Sequence, residues 1–96
     1  MERDDILAFL RLQKLAFKTE MGISKIGLFG SLARNEKPKD IDIIVEFEPG
    51  TQDLFEKKFK IKQIIEARFN FPTDICREKF IKPNVKELIM RDVIFV

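Results

Sequence analysis

The apolar residues of this chain recur with helical spacing in two long segments. The first segment predicts a helix that begins at a cap, Asp4 or Asp5, and continues to about Thr19. Gly22 follows as its stop, because glycine readily adopts the left-handed conformation at helix ends. One stripe of this helix is apolar and is expected in the core: Ile6, Phe9, Leu10, Ala16 and Phe17.

Three leucines of the same helix, Leu7, Leu12 and Leu15, fall outside this stripe. A helix that is apolar around so much of its circumference either lies deep in the fold or meets another chain. We therefore keep two interpretations open: a partly exposed face that binds a partner, and ordinary core packing.

The second amphipathic segment follows a turn signal, Pro49-Gly50. Thr51 is the predicted N-cap of a long helix that ends near Phe69. Its apolar arc is wide: Leu54, Phe55, Ile61, Ile64, Ile65 and Phe69. Its basic residues are Lys57, Lys58, Lys60, Lys62 and Arg68. We interpret these cations as the solvated face of the helix; the alternative is that they assist a triphosphate or an acidic partner.

Short apolar runs outside these helices predict strands in three segments: residues 24–29, 40–47 and 71–76. Pro83 suits the first turn of a further helix through about Arg91, and residues 93–96 predict a closing edge strand. Because strands and helices alternate, the fold class is α/β or α+β, a small mixed sheet flanked by helices. The connection between the first two strands is short for a parallel crossover, which leaves either pairing direction open.

Composition limits the classes of protein and of site. With 96 residues, of which 45% are hydrophobic, the chain suffices for one domain, residues 1–96, with one core. The single cysteine, Cys76, excludes an internal disulfide and a cysteine-rich zinc site, and its expected role is that of a small buried hydrophobe. Histidine is absent, so catalysis must rest on carboxylates and hard cations, which favours Mg²⁺ or Mn²⁺. The net charge of +2 is too balanced to indicate nucleic-acid binding by itself.

The N-terminal residues contain no basic and apolar signal sequence, and no apolar run approaches the roughly 20 residues of a membrane span. We therefore expect a soluble, cytoplasmic protein. The pattern Gly-x-x-x-x-Gly-Lys-Ser/Thr is absent, which excludes a Walker-type nucleotide site.

The strand predicted at 40–47 carries the most informative polar pattern. Asp40 and Asp42 are two residues apart, so they project from one side of the strand, about 7 Å apart along the chain. Residues of the opposite parity are apolar and can be buried: Ile41, Ile43, Val45 and Phe47. Because two like charges side by side repel each other, a divalent cation between the carboxylates would stabilise the pair.

A Gly-Ser dipeptide precedes these aspartates. The first strand ends at Gly30 and Ser31, after which residues 32–34 predict a helical turn. Gly30 lets a phosphate approach the backbone, and Ser31 offers a hydroxyl and an N-cap position with free N–H donors behind it. Taken alone, Gly-Ser is more often an ordinary turn and cap. Upstream of two paired aspartates, it predicts a phosphate site next to a metal site.

Together these segments resemble the minimal nucleotidyltransferases of the DNA polymerase β superfamily, whose signature is Gly-Ser followed by Asp-x-Asp. The matching residues are Phe-Gly-Ser-Leu-Ala-Arg at 29–34 and Asp-Ile-Asp-Ile-Ile-Val at 40–45. The resemblance continues through residues 71–75, similar to the strand with the family's third carboxylate, and through residues 86–96, similar to the closing helix and strand. The spacer between the two motifs is a little shorter than usual, which leaves the length of the helix after Ser31 open.

The resemblance implies a polymerase β-like fold and transfer of a nucleoside monophosphate, AMP from ATP, to a hydroxyl on a partner protein. Asp40 and Asp42 would hold the metals, and Asp74 would complete the site and accept the hydroxyl proton. Gly30 and Ser31 would seat the β- and γ-phosphates. Two roles stay open for the arginine of the motif at residue 34, a phosphate contact and a surface salt bridge.

The resemblance also implies a biological partner, since minimal nucleotidyltransferases are frequently encoded beside HEPN-domain toxins as the antitoxins. The expected assembly is therefore an oligomer with such a toxin or with further copies of this chain. The alternative is a non-catalytic module that neutralises its partner by contact and keeps the motif as a relic or nucleotide sensor. A sugar-nucleotide transferase with an Asp-x-Asp motif is disfavoured, because those catalytic domains are far larger.

Overall fold

The computed structural model describes residues 1–96. Four helices and four strands alternate along the chain, in agreement with the predicted class. In chain order they are α1 (Arg3–Met21), β1 (Ile23–Phe29), α2 (Gly30–Ala33), β2 (Ile41–Phe47), α3 (Leu54–Phe69), β3 (Thr73–Arg77), α4 (Pro83–Asp92) and β4 (Ile94–Phe95), with a short 3₁₀ turn at Glu78–Phe80. No helix is long and apolar enough to cross a membrane.

The N-terminus of α1 differs from the prediction. Glu2, and neither Asp4 nor Asp5, is the N-cap: its side chain accepts from a first-turn backbone N–H, while its own N–H donates to Asp5 Oδ2 over 2.8 Å. This reciprocal arrangement is a capping box, which satisfies two backbone donors at once. The predicted stop is confirmed, since Gly22 ends the helix in the left-handed region with φ 71°.

The N-terminus of α3 was also predicted wrongly. The cap is Asp53, which has a left-handed backbone with φ 56°, and the helix begins at Leu54. The hydroxyl of Thr51 instead donates to the carbonyl of Glu48 over 2.7 Å, so it closes the turn after β2. The predicted end at Phe69 is confirmed, with Asn70 as a left-handed C-cap.

The four strands form one mixed sheet in the order β3-β2-β1-β4. The pairing direction that the sequence left open is antiparallel for β1 and β2, and parallel for β2 and β3. The closing strand β4 pairs antiparallel with the other side of β1, so it is an edge strand as predicted. β3 forms the opposite edge.

The core lies on one face of the sheet, beneath α1 and α3. The predicted apolar face of β2 is buried as expected: Ile41, Ile43, Val45 and Phe47. From α3, only Ile61 and Ile65 are fully buried, while Phe55 of the predicted apolar arc is 82% exposed. In α1, Leu7 is buried, so for this residue the structure contains the core packing that was one of the two open interpretations, whereas Leu12 and Leu15 are exposed.

Candidate active site

The candidate active site lies on the other face of the sheet. There the end of β1 lies beside an aspartate of β2, and that aspartate lies beside an aspartate of β3. Phe29, the last residue of β1, pairs with Asp42 of β2. Asp42 in turn lies opposite Asp74 of β3 in the parallel pairing. The two aspartates therefore share the face opposite the core, although 31 other residues separate them in the sequence.

Asp40 lies one residue before β2 and is half-buried, so the predicted strand begins one residue too early. Its charge nevertheless acts on the same site. Partial burial and, to a smaller extent, the neighbouring carboxylates of Asp40 and Asp74 together raise the pKa of Asp42 to about 6. The opposite effect of the Arg34 cation is smaller. The three predicted carboxylates are thus close enough for the charges of Asp40 and Asp74 to act on Asp42.

These carboxylates do not form a complete coordination site, since no three acidic or cysteine side chains are arranged to bind one metal ion. Their chemistry nevertheless suits a hard divalent cation, which prefers oxygen ligands and several water molecules. Burial contributes most to the raised pKa of Asp42, and the charges of Asp40 and Asp74 add to it. A bound cation would favour the ionised form of Asp42 and so act against both effects.

Gly30 lies directly against Asp42. Its backbone is left-handed with φ 77°, and a Cβ atom built on it would overlap the Asp42 carboxylate. Glycine is therefore needed here both for conformation and for space. Ser31 is the second residue of α2 and is not its N-cap, because the helix begins two residues earlier than predicted, with Phe29 as the cap. The helix that the short spacer left open has four residues, Gly30–Ala33.

Arg34 follows α2 and forms two ion pairs. Its guanidinium donates to Glu36 over 3.1 Å and to Asp92, at the end of α4, over 3.1 Å. These hydrogen bonds raise the pKa of Arg34 further above its ordinary value, Glu36 contributing most. Of the two roles that the sequence left open, the structure contains the salt bridge, while the cation remains close enough to lower the pKa of Asp42.

Two clefts border the aspartates. One, on the β1 side between α2 and α4, has a volume of about 470 Å³ and is lined by Phe29, Gly30, Arg34, Leu88, Ile89, Arg91 and Asp92. The other, on the β3 side, has a volume of about 210 Å³ and is lined by Phe55, Lys58, Phe59, Lys62, Asp74 and Ile75. Sequence reasoning did not assign the second cleft, although two aromatic residues on a lysine-rich helix face were a visible signal.

Cys76 follows Asp74 by two residues and is half-buried on the same face. Burial raises the pKa of its thiol to about 11, and the charge of Asp74 contributes in the same direction. The thiol therefore stays protonated near neutral pH and is a poor nucleophile. This agrees with the passive role expected for it.

Residues 10–96 match the nucleotidyltransferase domain family. The chain belongs to this family. The match spans both clefts and the three aspartates, and members of the family use a divalent metal and a nucleoside triphosphate.

Relatives of this nucleotidyltransferase match it over nearly their full length. A candidate protein adenylyltransferase of Methanocaldococcus jannaschii is 34% identical over 95 residues, which cover 96% of this chain and 95% of the relative. The protein adenylyltransferase MntA of Thermococcus cleftensis is 27% identical over 95 residues, which cover 97% of this chain and 94% of that protein.

Solved structures agree with the fold of this nucleotidyltransferase. A minimal nucleotidyltransferase superposes with a TM-score of 0.76 at 27% identity, over 98% of this chain and 95% of the other. A crystal structure of a mutant toxin–antitoxin complex, MntA–HpeT, superposes with a TM-score of 0.64 at 13% identity, over 99% of this chain and 71% of the other. The architecture is the polymerase β-like nucleotidyltransferase fold.

Proposed function

We propose that residues 1–96 form a single cytoplasmic nucleotidyltransferase domain that transfers AMP from ATP to a hydroxyl of a partner protein. We further propose that it is the antitoxin of a HEPN-type toxin. The observation that carries the proposal is the in-register pair Asp42 and Asp74, with Asp40 and Gly30 beside it. Two relatives named as protein adenylyltransferases and the MntA–HpeT toxin–antitoxin structure support the acceptor and the partner.

Asp40, Asp42 and Asp74 are the proposed metal-binding and catalytic residues. Mg²⁺ or Mn²⁺ held by these carboxylates would supply positive charge at the triphosphate and at the attacking oxygen. The positions of the three carboxylates would determine where the metal ions lie. Desolvation and mutual repulsion keep Asp42 poised to gain from a cation, as its raised pKa indicates.

Gly30, Ser31 and Arg34 are the proposed nucleotide-binding residues. The absent side chain of Gly30 keeps the backbone open beside Asp42, where a phosphate can approach. Ser31 and Arg34 would add a hydroxyl and a cation on the same side, next to the cleft of about 470 Å³. For Arg34 to contact a phosphate, its pairs with Glu36 and Asp92 would have to open or be shared.

The transfer forms a bond between the acceptor oxygen and the α-phosphorus of ATP. The bond from that phosphorus to the oxygen bridging to the β-phosphate breaks, and pyrophosphate leaves with the bonding electrons. The proton of the acceptor hydroxyl passes to a carboxylate, for which Asp74 is proposed because it is exposed at the open side of the site.

The test is AMP transfer from α-labelled ATP to the co-expressed HEPN partner. This chain contains no tyrosine, so any tyrosine adduct must lie on the partner. Asp42→Asn keeps the shape of the side chain but removes the charge, and it should slow transfer by at least about 10³-fold. Asp74→Asn should be similarly severe. Asp4→Asn, an exposed aspartate of α1 with a side chain 83% accessible, is the matched control and should not change the rate.

Toxicity assays separate catalysis from contact. If Asp42→Asn abolishes transfer and the partner becomes toxic although the complex still forms, the enzyme neutralises by modification. If the variant protects cells as well as the unmodified chain does, neutralisation is by contact alone and the proposed function is wrong in its central step.

A further inference from the structure

We infer that the open edge of β3 is the docking site for the acceptor: an extended, acidic segment of the partner protein that adds to the sheet as a further strand. The segment would carry its hydroxyl beside Asp74. The inference rests on the proposed function, which needs a second molecule to present a hydroxyl to the carboxylates. It places the acceptor segment on the β3 side of the site and gives it an extended, strand-like backbone.

The backbone of β3 shows which groups face outward. Ile41 N donates to the carbonyl of Pro72 over 2.8 Å, so in this parallel pairing the main-chain groups of Pro72, Asp74 and Cys76 point toward β2. Those of Thr73, Ile75 and Arg77 therefore point away from the sheet. The outward N–H of Thr73 donates to the Glu66 carboxylate over 2.9 Å. At this position a side chain of α3 accepts the hydrogen bond that a neighbouring strand would otherwise accept.

Further along the edge, no strand covers the outward groups of Ile75, because β3 is the last strand of the sheet. An unpaired edge of this kind is a template for an extended segment from another chain. Such a segment would lie about 4.8 Å from β3, with alternate side chains on opposite faces. Side chains on the site face would then lie next to Asp74, where a hydroxyl is needed.

The other face of the added strand would meet two aromatic rings. Phe55 and Phe59 extend from α3, the helix that packs against the core side of β3, and are 82% and 53% exposed. Together with Ile75 and Asp74 they line the cleft of about 210 Å³. Apolar side chains that alternate with the hydroxyl-bearing residue would be covered here, which explains why large aromatics stand at the rim of the site.

The charge of this cleft selects an acidic segment. Lys58 and Lys62 line it and form no ion pair within the chain. Both are half-buried, so their charges are less screened than those of fully exposed lysines. Both lysines share the lining of this cleft with Asp74 and Ile75 of β3. Because these lysines lie on α3 and Asp74 lies on β3, carboxylates of a docked segment are attracted to the α3 side of the cleft.

The cleft of about 470 Å³ leaves room for the nucleotide on the side of the site away from the proposed acceptor segment. The cleft that contains Gly30 and Arg34 lies on the β1 side of Asp42, and the cleft with Phe55 and Phe59 lies on the β3 side. A nucleotide seated at Gly30 leaves the Asp74 side free. The acceptor can then approach the α-phosphorus from the side opposite to the leaving pyrophosphate.

The experiment measures docking separately from chemistry. The probe is a fluorescein-labelled heptapeptide with a central Val-Tyr-Val and two acidic residues at each end, titrated with the full chain and followed by fluorescence anisotropy in EDTA. Tyrosine and the two valines then project to opposite faces of an added strand. One control peptide has lysines at its ends, and a second has alternate backbone nitrogens methylated so that strand pairing is blocked. Calorimetry of ATP with Mg²⁺ is run on the same protein preparations after EDTA has been removed.

We expect the acidic peptide to bind at least about tenfold more tightly than either control peptide. Phe55→Ser with Phe59→Ser should weaken it by at least about tenfold, and circular dichroism should show an intact fold because both rings are exposed. Lys58→Glu with Lys62→Glu should invert the preference between acidic and basic peptides. Lys60→Glu, on the same helix but outside the cleft, should change the affinity by less than about twofold.

Absent binding, equal affinity for the acidic and basic peptides, or indifference to backbone methylation overturns the inference. ATP binding reports on the proposed function instead. If ATP with Mg²⁺ binds and the acidic peptide does not, the acceptor site is elsewhere and the nucleotidyltransferase proposal stands. If the peptide pattern appears but ATP does not bind, the proposed function fails while the docking edge is retained.

Discussion

Asp42 of β2 lies directly opposite Asp74 of β3 in the parallel part of the sheet, and both carboxylates project away from the core. Partial burial, together with the negative charges of Asp40 and Asp74, raises the pKa of Asp42 to about 6. A site that binds no cation therefore destabilises the fold whenever these groups are ionised. This coupling between metal, charge and stability can be measured without an activity assay.

The first prediction concerns the pH dependence of stability without metal. Folded Asp42 keeps its proton up to about pH 6, whereas the unfolded chain loses it near the ordinary value of 3.8. Between these values the folded state binds more protons, so this group makes the free energy of unfolding fall as pH rises. Thermal scans in EDTA at four pH values between 4 and 7.5 measure the slope.

Asp42→Asn removes this titration and is the internal control. Its melting temperature should exceed that of the unmodified chain in EDTA at pH 7.5, and the slope between pH 4 and 6 should flatten. Mg²⁺ or Mn²⁺ should raise the melting temperature of the unmodified chain, because a ligand that binds only the folded state stabilises it. The variant should gain much less. Equal responses to metal would show that Asp42 does not contribute to the metal site.

The second prediction concerns the space at Gly30. Gly30 and Gly50 both have a left-handed backbone, with φ 77° and 84°, but a Cβ on Gly50 would contact nothing within 4 Å. Gly50→Ala should therefore cost only the conformational penalty of roughly 1–2 kcal/mol. Gly30→Ala should cost at least about 1 kcal/mol more, because its methyl group overlaps the Asp42 carboxylate. Urea unfolding at pH 7.5 measures both.

A double-mutant cycle identifies the overlapping partner. If Asp42 causes the excess, the extra cost of Gly30→Ala should shrink in an Asp42→Ala background. An unchanged excess would mean that another contact of Gly30 is responsible.

The burial pattern of the site could be predicted from local sequence because alternation in a strand is local. The aspartates at 40 and 42 interleave with Ile41 and Ile43, and both isoleucines are fully buried as predicted. Gly22 was predictable for a similar reason, since its left-handed backbone is intrinsic to glycine at a helix end. The N-cap predicted at Thr51 was wrong, because a threonine hydroxyl can either cap the helix that follows or donate to a preceding carbonyl. Here it donates to the carbonyl of Glu48.

Relationships between distant segments could not be read from the residues themselves. The strand order and the register of Asp42 with Asp74 depend on how β3 returns alongside β2. The aspartate at 74 was proposed from the family resemblance and from its parity in the predicted strand, neither of which gives its register with Asp42. The same holds for Glu46, which forms a 2.9 Å ion pair with Arg77 of the neighbouring strand. The position of Leu7 stayed open for the same reason, because a stripe drawn on one helix does not show which elements pack beside it; the structure places Leu7 in the core.

The third prediction concerns Arg34. If this cation contacts a phosphate, Arg34→Gln should weaken binding of ATP with Mg²⁺ by roughly tenfold, since it removes a charge-assisted hydrogen bond. The melting temperature should change little, because the pairs with Glu36 and Asp92 are solvent-exposed. Arg3→Gln, which removes a similar exposed pair with Asp4, is the control. Calorimetry that finds equal affinity for both variants would leave Arg34 as a surface salt bridge only.

The fourth prediction concerns the outer face of α1. Leu12 and Leu15 are 78% and 72% exposed, and their spacing places them side by side on one face of the helix. Water-exposed leucines of this kind contribute little to folding, so changing both to serine should leave the melting temperature nearly unchanged. If this face binds the HEPN partner, the same change should weaken the complex, measured by co-purification and by titration of the purified proteins.

Leu7→Ser on the same helix distinguishes this surface from the core. Leu7 is only 5% exposed, so its truncation should lower the free energy of unfolding by roughly 2–5 kcal/mol. The double variant at Leu12 and Leu15 should instead lose partner affinity at constant stability. Should the double variant unfold like Leu7→Ser, the leucines serve the fold. Should it bind the partner normally, the α1 face is not part of the interface, and the partner must contact another surface of the domain.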